Sequence, residues 1–350
     1  MKRWNEFPKI YFVYALLLSG IFGLAGISEA NAKEYFVAAN NGKDENNGTK
    51  KAPFLTLEKG VRSLSPGDIL YVRGGTYQRN EQLWSPPSGT SWTHAIMVKA
   101  YQKEKVIIKP LPSKNFPGNS VFYFKDKSQY IIMEGLVLDG TNGAFGYVMG
   151  TGSHHIRIRN GEIKNTPNSA IQGSGADFIE IINLKIHDSW LGIEGYAGRT
   201  RSYGFYLNGS YNLVQDCEIY NNHGNGIHIF STSFTPSHNR IINNRIYNNG
   251  RAGVIVTTGT NNQVINNVIW GNEVGVHVDY RATNTAIYHN AIYGSEKYEI
   301  RLGVDSDKSF VRNNILFGKS SKAAILIANG TSASKIENNL ILEISMNPSY

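Results

Sequence analysis

The sequence holds a single cysteine, Cys217. No intrachain disulfide is available, so stability has to come from a buried core and a backbone hydrogen-bond network. Long amphipathic helices are also missing, which excludes ankyrin-type and tetratricopeptide-type arrays. No His and Cys spacing of the zinc type occurs. Beyond residues 10–27 no second apolar run is long enough to span a bilayer. Acidic residues are in the minority, with 35 Lys and Arg against 27 Asp and Glu and a net charge of +8. Such an excess suits a polyanion (acidic polysaccharide, cell-wall polymer, lipid headgroup or nucleic acid) and serves equally well as a charge for solubility.

The amino-terminal segment reads as an export signal. Lys2, Arg3 and Lys9 precede the apolar run from Ile10 to Ile27, and Ala30-Asn31-Ala32 supplies a small-x-small cleavage pattern. The alternative is an uncleaved membrane anchor, since the run is long enough for one. Cleavage after Ala32 would leave Lys33 to Tyr350 as one secreted or periplasmic domain without stable membrane insertion; its oligomeric state is left open by the sequence, with a monomer the expectation.

Internal repetition organises that domain. The segments VQDCEIYNN (214–222), IINNRIYNN (241–249), VINNVIWGN (264–272), IYHNAIYGS (287–295), VRNNILFGK (311–319) and IENNLILEI (336–344) share one frame, which runs back to IINLKIHDS (181–189). Ile186, Ile219, Ile246, Ile269, Ile292, Leu316 and Ile341 occupy its aliphatic position at steps of 33, 27, 23, 23, 24 and 25 residues, with Leu138 and Ile163 as earlier members. Apolar and polar residues alternate within each copy, the period of a strand. A repeat of this length fits three short strands and three turns per coil, an all-β parallel solenoid whose coils stack at about 4.8 Å. Asn244, Asn267, Asn290, Asn314 and Asn339 form a turn column in which one amide can donate to the next, and in which Asn tolerates a left-handed backbone. Cys217 and Leu184 stand in the same column, so Cys217 reads as a buried turn residue and not a nucleophile.

A third strand recurs as GFYLN (204–208), GIHIF (226–230), GVIVT (253–257), GVHVD (275–279) and EIRLG (299–303). Its second and fourth residues should face the core, its third and fifth the solvent. The amino-terminal stretch 35–77 reads as a cap: Thr56 caps a short helix from Leu57 to Leu64, 65–68 is a turn and Ile69 to Val72 a strand. Regular coils are expected over 130–345.

The stretch YFVAANNGKDENNGTKKAPFLTLEKGVRSLSPGDILYVRGGTY (35–77), AIMVKAYQKEKVIIKP (95–110) and the repeats resemble right-handed parallel β-helix proteins, the pectate-lyase-like and mannuronan C5-epimerase-like group. The resemblance covers nearly all of the exported chain and implies the right-handed form of the solenoid, with a short capping helix. It specifies fold more than activity, because the scaffold hosts several chemistries. Similar proteins continue past an Asn-Pro turn, whereas this sequence stops at Asn347-Pro348-Ser349-Tyr350, so a shortened end or a capping partner is expected beyond Ile341.

Two columns of the third strand carry the candidate chemistry. One reads Tyr206, His228, Ile255, His277 and Arg301; the other reads Asn208, Phe230, Thr257, Asp279 and Gly303. Two insertions flank them, Trp190 to Tyr203 and Ser231 to His238. Trp190, Tyr196 and Tyr203 offer rings for sugar stacking, and Arg199 and Arg201 offer forks for carboxylate or sulfate. Lyases and epimerases of uronates remove a weakly acidic C5 proton after the neighbouring carboxylate has been neutralised. His228 or His277 then serves as base, Arg301 as neutraliser and Tyr206 as acid, with Asp279 orienting His277. For any one of these residues, a tolerated surface position is the commoner explanation; their concentration on one face argues for function.

His187, His223, His238 and His289 read as structural, and His154-His155 as a turn pair. Calcium-dependent relatives carry an Asp cluster at the turn entering this strand, but residues 221–228 here contain no carboxylate, so no cofactor is expected. The acidic loop Gly42 to Gly48 could hold a structural ion but reads better as a solvated turn. The expected function is metal-independent β-elimination or C5 epimerisation of an acidic polysaccharide, with no nucleic acid as partner. The competing reading is a non-catalytic carbohydrate-binding or envelope scaffold protein. A hydrolase is disfavoured, since it would want two carboxylates about one bond and the outward columns supply only Asp279. When the full chain is expressed in a bacterial host, the amino terminus of the exported form should be Lys33; mass spectrometry of an envelope-retained form still carrying residues 1–32 would contradict the cleavage.

Overall fold

The computed structural model describes residues 32–79, 83–110, 120–141, 145–189, 202–319, 323–328, 331 and 333–344. Almost every strand in it is parallel to the one a coil before and the one a coil after. Three sheets of 12, 11 and 10 strands result, and each takes one strand per coil. We call them the first, second and third walls in that order.

The expected cap is already part of the stack. Glu34–Val37 pairs in parallel with Ile69–Val72, which pairs with Ile96–Ala100, so the first wall begins with the cap strands. A helix, Leu57–Arg62, packs on this end with Leu57 and Val61 buried. Thr56 caps it as expected, its hydroxyl accepting the Lys59 N–H at 3.2 Å.

Inward residues of the three walls form one continuous core. The column Leu138, Ile163, Ile186, Ile219, Ile246, Ile269, Ile292 and Leu316 is at most 1% exposed throughout, while Ile341, in the last described coil, is 47% exposed. Each fully buried aliphatic contributes roughly 1.5–3 kcal/mol. The buried members of the third wall, Ile227 and Ile229, Val254 and Val256, Val276 and Val278, and Ile300 and Leu302, are those expected from alternation.

Polar ladders hold the corners. Between the first and second walls, Asn244 Nδ2 donates to Asn267 Oδ1 at 3.0 Å, and the same bond recurs from Asn267 to Asn290, Asn290 to Asn314 and Asn314 to Asn339. Each Oδ1 also accepts the backbone N–H of the preceding rung. The amide therefore closes backbone groups that the turn takes out of the sheets. Cys217 continues the column: its N–H donates to Asn244 Oδ1 at 2.9 Å, and its sulfur approaches the Leu184 N–H at 3.5 Å. Burial pushes its thiol up to about 12.

The left-handed backbone falls one residue before the ladder, not on it. Asn183, Asp216, Asn243, Asn266, His289, Asn313 and Asn338 have φ between 52° and 59°, and the ladder residues do not. The rung needs its side chain turned inward beside the core, and the preceding residue absorbs the reversal with its side chain outward. Two further ladders, Asn239 to Asn262 and Asn222 to Asn249 to Asn272, hold the other corners.

Outside, rings stack from coil to coil. His187, Tyr220, Tyr247, Trp270 and Tyr293 lie in register on the second wall, nearly parallel, with centroids 4.2–5.8 Å apart. A second stack, His155, Phe178, Tyr211 and His238, follows one corner at 4.9–5.0 Å. Within each stack the faces meet one another, so the rings brace the walls.

Replacing Asn267 by Ala strands several buried donors and acceptors and should cost on the order of 3 kcal/mol in urea unfolding; Asn266→Gly, at the exposed left-handed position, should cost almost nothing. In the folded protein Cys217 should resist thiol reagents at pH 8 and react only after denaturation; rapid labelling of the native chain would contradict its burial.

Candidate functional site

Stacking in register turns residues far apart in sequence into neighbours on the third wall. Tyr206 pairs with His228, His228 with Ile255, Ile255 with His277, and His277 with Arg301. At about 4.8 Å per coil, the column extends over roughly 19 Å. Its members fall into two groups, with Ile255 between them.

The first group is aromatic. His228 lies between Phe230, stacked at 5.5 Å, and the rings of Tyr203 and Tyr206, met edge-on at 5.0 and 5.3 Å. Its Nε2 is 3.0 Å from the Thr257 hydroxyl. Tyr203, expected as an exposed stacking ring, is only 6% exposed and packs parallel to Tyr206 at 5.6 Å. Asn208 spends its amide oxygen on the Gly175 N–H at 2.7 Å. Here the rings satisfy each other, and the sequence expectation of a solvent-facing His228 is corrected to 9% exposure.

The second group is charged. His277 is likewise 9% exposed instead of solvent-facing. Its Nε2 lies 3.5 Å from Asp279 Oδ2 but makes no hydrogen bond among the described residues, although residues two apart on a regular strand would stand further from each other. The strand deviates at this point: after Val256 pairs with Val278, Thr258 pairs with Arg281, so Asp279 and Tyr280 oppose Thr257 in a bulge, and Tyr280 has φ 58°. Gly303 completes the space, because a Cβ there would stand 2.0 Å from Asp279 Oδ1. Arg301, one coil on, is half-buried. Glu273, whose carboxylate pairs with Lys297, adds a more distant negative charge.

These surroundings decide the protonation of His277. Burial dominates, Asp279 and Glu273 oppose it and Arg301 acts with it, and the net lowers the pKa to about 4. The ring is therefore neutral at pH 7 and able to accept a proton. No group of three or more His, Cys, Asp or Glu among the described residues is placed to hold a metal ion. The stretch 221–228 carries no carboxylate; its polar side chains are amides and imidazoles, which do not suit calcium.

Trp190, Tyr196, Arg199 and Arg201 lie outside the described residues. Sequence reasoning missed Thr257 as a partner of His228, and Gly303 as the space for the Asp279 carboxylate. The Thr257 position in the outward column pointed to the first; nothing in the sequence pointed to the second.

A family model described as a right handed beta helix region matches residues 141–292, and one described as a Pel9A-like, right handed beta helix region matches residues 35–191. The uncharacterized protein YwoF of Bacillus subtilis (strain 168) is 24% identical over 180 residues, 50% of this chain and 38% of that protein, so the match spans little more than a third of this relative. Pectate lyase Pel9A superposes with a TM-score of 0.64 at 19% identity, over 88% of this chain and 80% of its own. The complex of XylC with xylose gives 0.63 at 14% identity, over 90% and 87%. The A-module of the Azotobacter vinelandii mannuronan C-5 epimerase AlgE4 gives 0.59 at 16% identity, over 80% and 89%. At these identities the likeness shows the fold alone.

The His277 ring should stay neutral down to about pH 4 when its titration is followed by NMR. Asp279→Asn should lower that midpoint and Arg301→Gln should raise it. Because the folded pKa lies below the unfolded value of about 6.5, the unfolded chain binds the proton first. The associated stability is present above pH 6.5 and is lost as pH falls from there to about 4. His277→Gln should flatten the acid limb of a stability–pH profile across that window, and an unchanged limb would contradict the burial.

Proposed function

We propose that this chain, a right-handed β-helix protein over residues 35–292, is an exported protein that acts on an acidic polysaccharide, cutting it by β-elimination at His277. One observation carries the reading: a buried, neutral imidazole in contact with a carboxylate and one coil from a guanidinium on the same wall.

Arg301 pairs with the uronate carboxylate and withdraws charge from C5, which makes the C5 proton removable. His277 takes that proton. The C–H electron pair forms the C4–C5 double bond as the C4–O bond breaks, and the proton passes from the imidazolium to the departing oxygen. Asp279, at 3.5 Å from Nε2, stabilises the imidazolium between the two transfers. The substrate carboxylate also offsets the Arg301 charge that depresses His277, so binding raises the base towards the range where it accepts a proton.

Elimination is favoured over C5 epimerisation by placement. Inversion needs a proton donor on the face of the sugar opposite the base, whereas Tyr206, His228, His277 and Arg301 all project from one wall. Tyr206 stands three coils from His277, roughly 14 Å, too far to share a sugar ring with it. The low pKa of His277 supports the second reading, a carbohydrate-binding or envelope scaffold protein without turnover, because such an imidazole is a weak base.

Incubation with polygalacturonate, alginate and glycosaminoglycans should yield products with the absorbance of a C4–C5 double bond from at least one polymer. His277→Ala should reduce that rate by about 10²–10⁴-fold, Arg301→Gln should reduce it strongly, and Tyr206→Phe should change it little. Retention on a polysaccharide column with no product from any uronate polymer would favour the scaffold reading instead.

A further inference from the structure

Beside the site, the wall widens into a cavity of about 500 Å³. Two features build it. The segment 231–238, which lengthens one coil, is tied down by its own hydroxyls. Ser231 Oγ accepts the N–H groups of Ser233 and Phe234 at 3.1 and 2.9 Å, and the Ser231 N–H donates to Thr258 Oγ1 at 2.9 Å. The Phe234 ring closes over Gly175, where a Cβ would stand 2.8 Å from it. Opposite, the strands Ala252–Thr260 and Val274–Thr283 resume pairing past the bulge, Thr258 with Arg281 and Thr260 with Thr283. They run for nine and ten residues, where the two preceding strands of this wall have three, and the added length forms a floor.

The lining combines three chemistries. Phe230, Phe234 and Tyr280 present rings, Thr260 and Thr283 present hydroxyls, and Arg281 presents a guanidinium. Arg281 is exposed, lies 5.0 Å from the Tyr280 ring centroid, and has no carboxylate partner among the described residues. The cavity borders the charged group through Tyr280, which follows Asp279, and the aromatic group through Phe230, which stacks on His228.

We propose that this cavity is a subsite for one carboxylate-bearing sugar unit, with the Arg281 fork on the carboxylate and the rings against the apolar face of the sugar. The proposal rests on the reading of an acidic polysaccharide as substrate. An unpaired guanidinium above an aromatic ring, rimmed by hydroxyls, matches such a sugar group by group. It also sets a direction. From His277 to Arg281 the paired strand advances three residues, Ile255 to Thr258, roughly 10 Å at about 3.3 Å each, so the polymer crosses the wall along the strands and does not climb the column of coils.

Calorimetric titration with trigalacturonate and trimannuronate, in a His277→Ala background that prevents turnover, tests this. Arg281→Ala should weaken binding of at least one trimer ten-fold or more, and Arg281→Lys should lose less. The same trimer with its carboxylates reduced to alcohols should bind weakly and indifferently to the Arg281 substitutions. Equal affinity with and without Arg281, or no binding of either trimer, overturns the subsite. Double-bond formation that depends on His277 while binding ignores Arg281 leaves the lyase reading standing and removes the subsite. Binding that depends on Arg281 without product from any uronate polymer does the reverse.

Discussion

Everything in this protein depends on the parallel register between consecutive coils. The backbone of each strand is satisfied by the coils on either side, and the corners, where that pairing lapses, are satisfied by buried amides. The Asn244–Asn339 ladder shows how tight the constraint is: each side-chain oxygen serves both an amide and a backbone N–H of the preceding rung, so a shift of one residue would break two bonds per coil. Without disulfides, this network and the aliphatic columns beside it are what keep the walls aligned. The alignment in turn places His277 and Arg301 opposite each other.

Regularity makes the scaffold and irregularity makes the site. Where coils repeat at 23 residues, the outer surface is covered by rings and charges that brace one another. Where a coil lengthens or a strand bulges, geometry appears that the repeat does not supply. The bulge after Val256 brings Asp279 against His277, and the absence of a side chain at Gly303 leaves room for its carboxylate. The lengthened coil at 231–238 and the extended strands beyond the bulge enclose the neighbouring cavity. This follows the general rule that binding positions grow from the loops of a rigid scaffold.

The division of the third wall has chemical consequences. His228 and His277 are two members of one column, yet their environments differ. His228 is enclosed by Tyr203, Tyr206 and Phe230, while His277 meets a carboxylate and a nearby guanidinium. Ile255 separates them, so a single reacting sugar unit cannot draw on both. The aromatic group packs ring against ring on the wall beside His277 and Arg301.

Read alone, the sequence determined the solenoid, the identity of its core columns and the residues that share its third wall. Parallel stacking in register converts a repeated spacing directly into a spatial column, and the Asn and aliphatic positions announce that spacing. The same reasoning placed Cys217 among the buried turn residues, where the structure has it. It could not place the left-handed residue, which stands one position before each Asn rung, because both positions are often Asn. Only the tertiary structure decided how far His228 and His277 are buried, that Tyr203 folds inward and that Asp279 reaches His277. It alone decided, too, that Arg281 stands over a cavity without an acidic partner among the described residues. Those outcomes depend on coils of unequal length folding over one another, and an alternating pattern within a strand carries no information about what covers it.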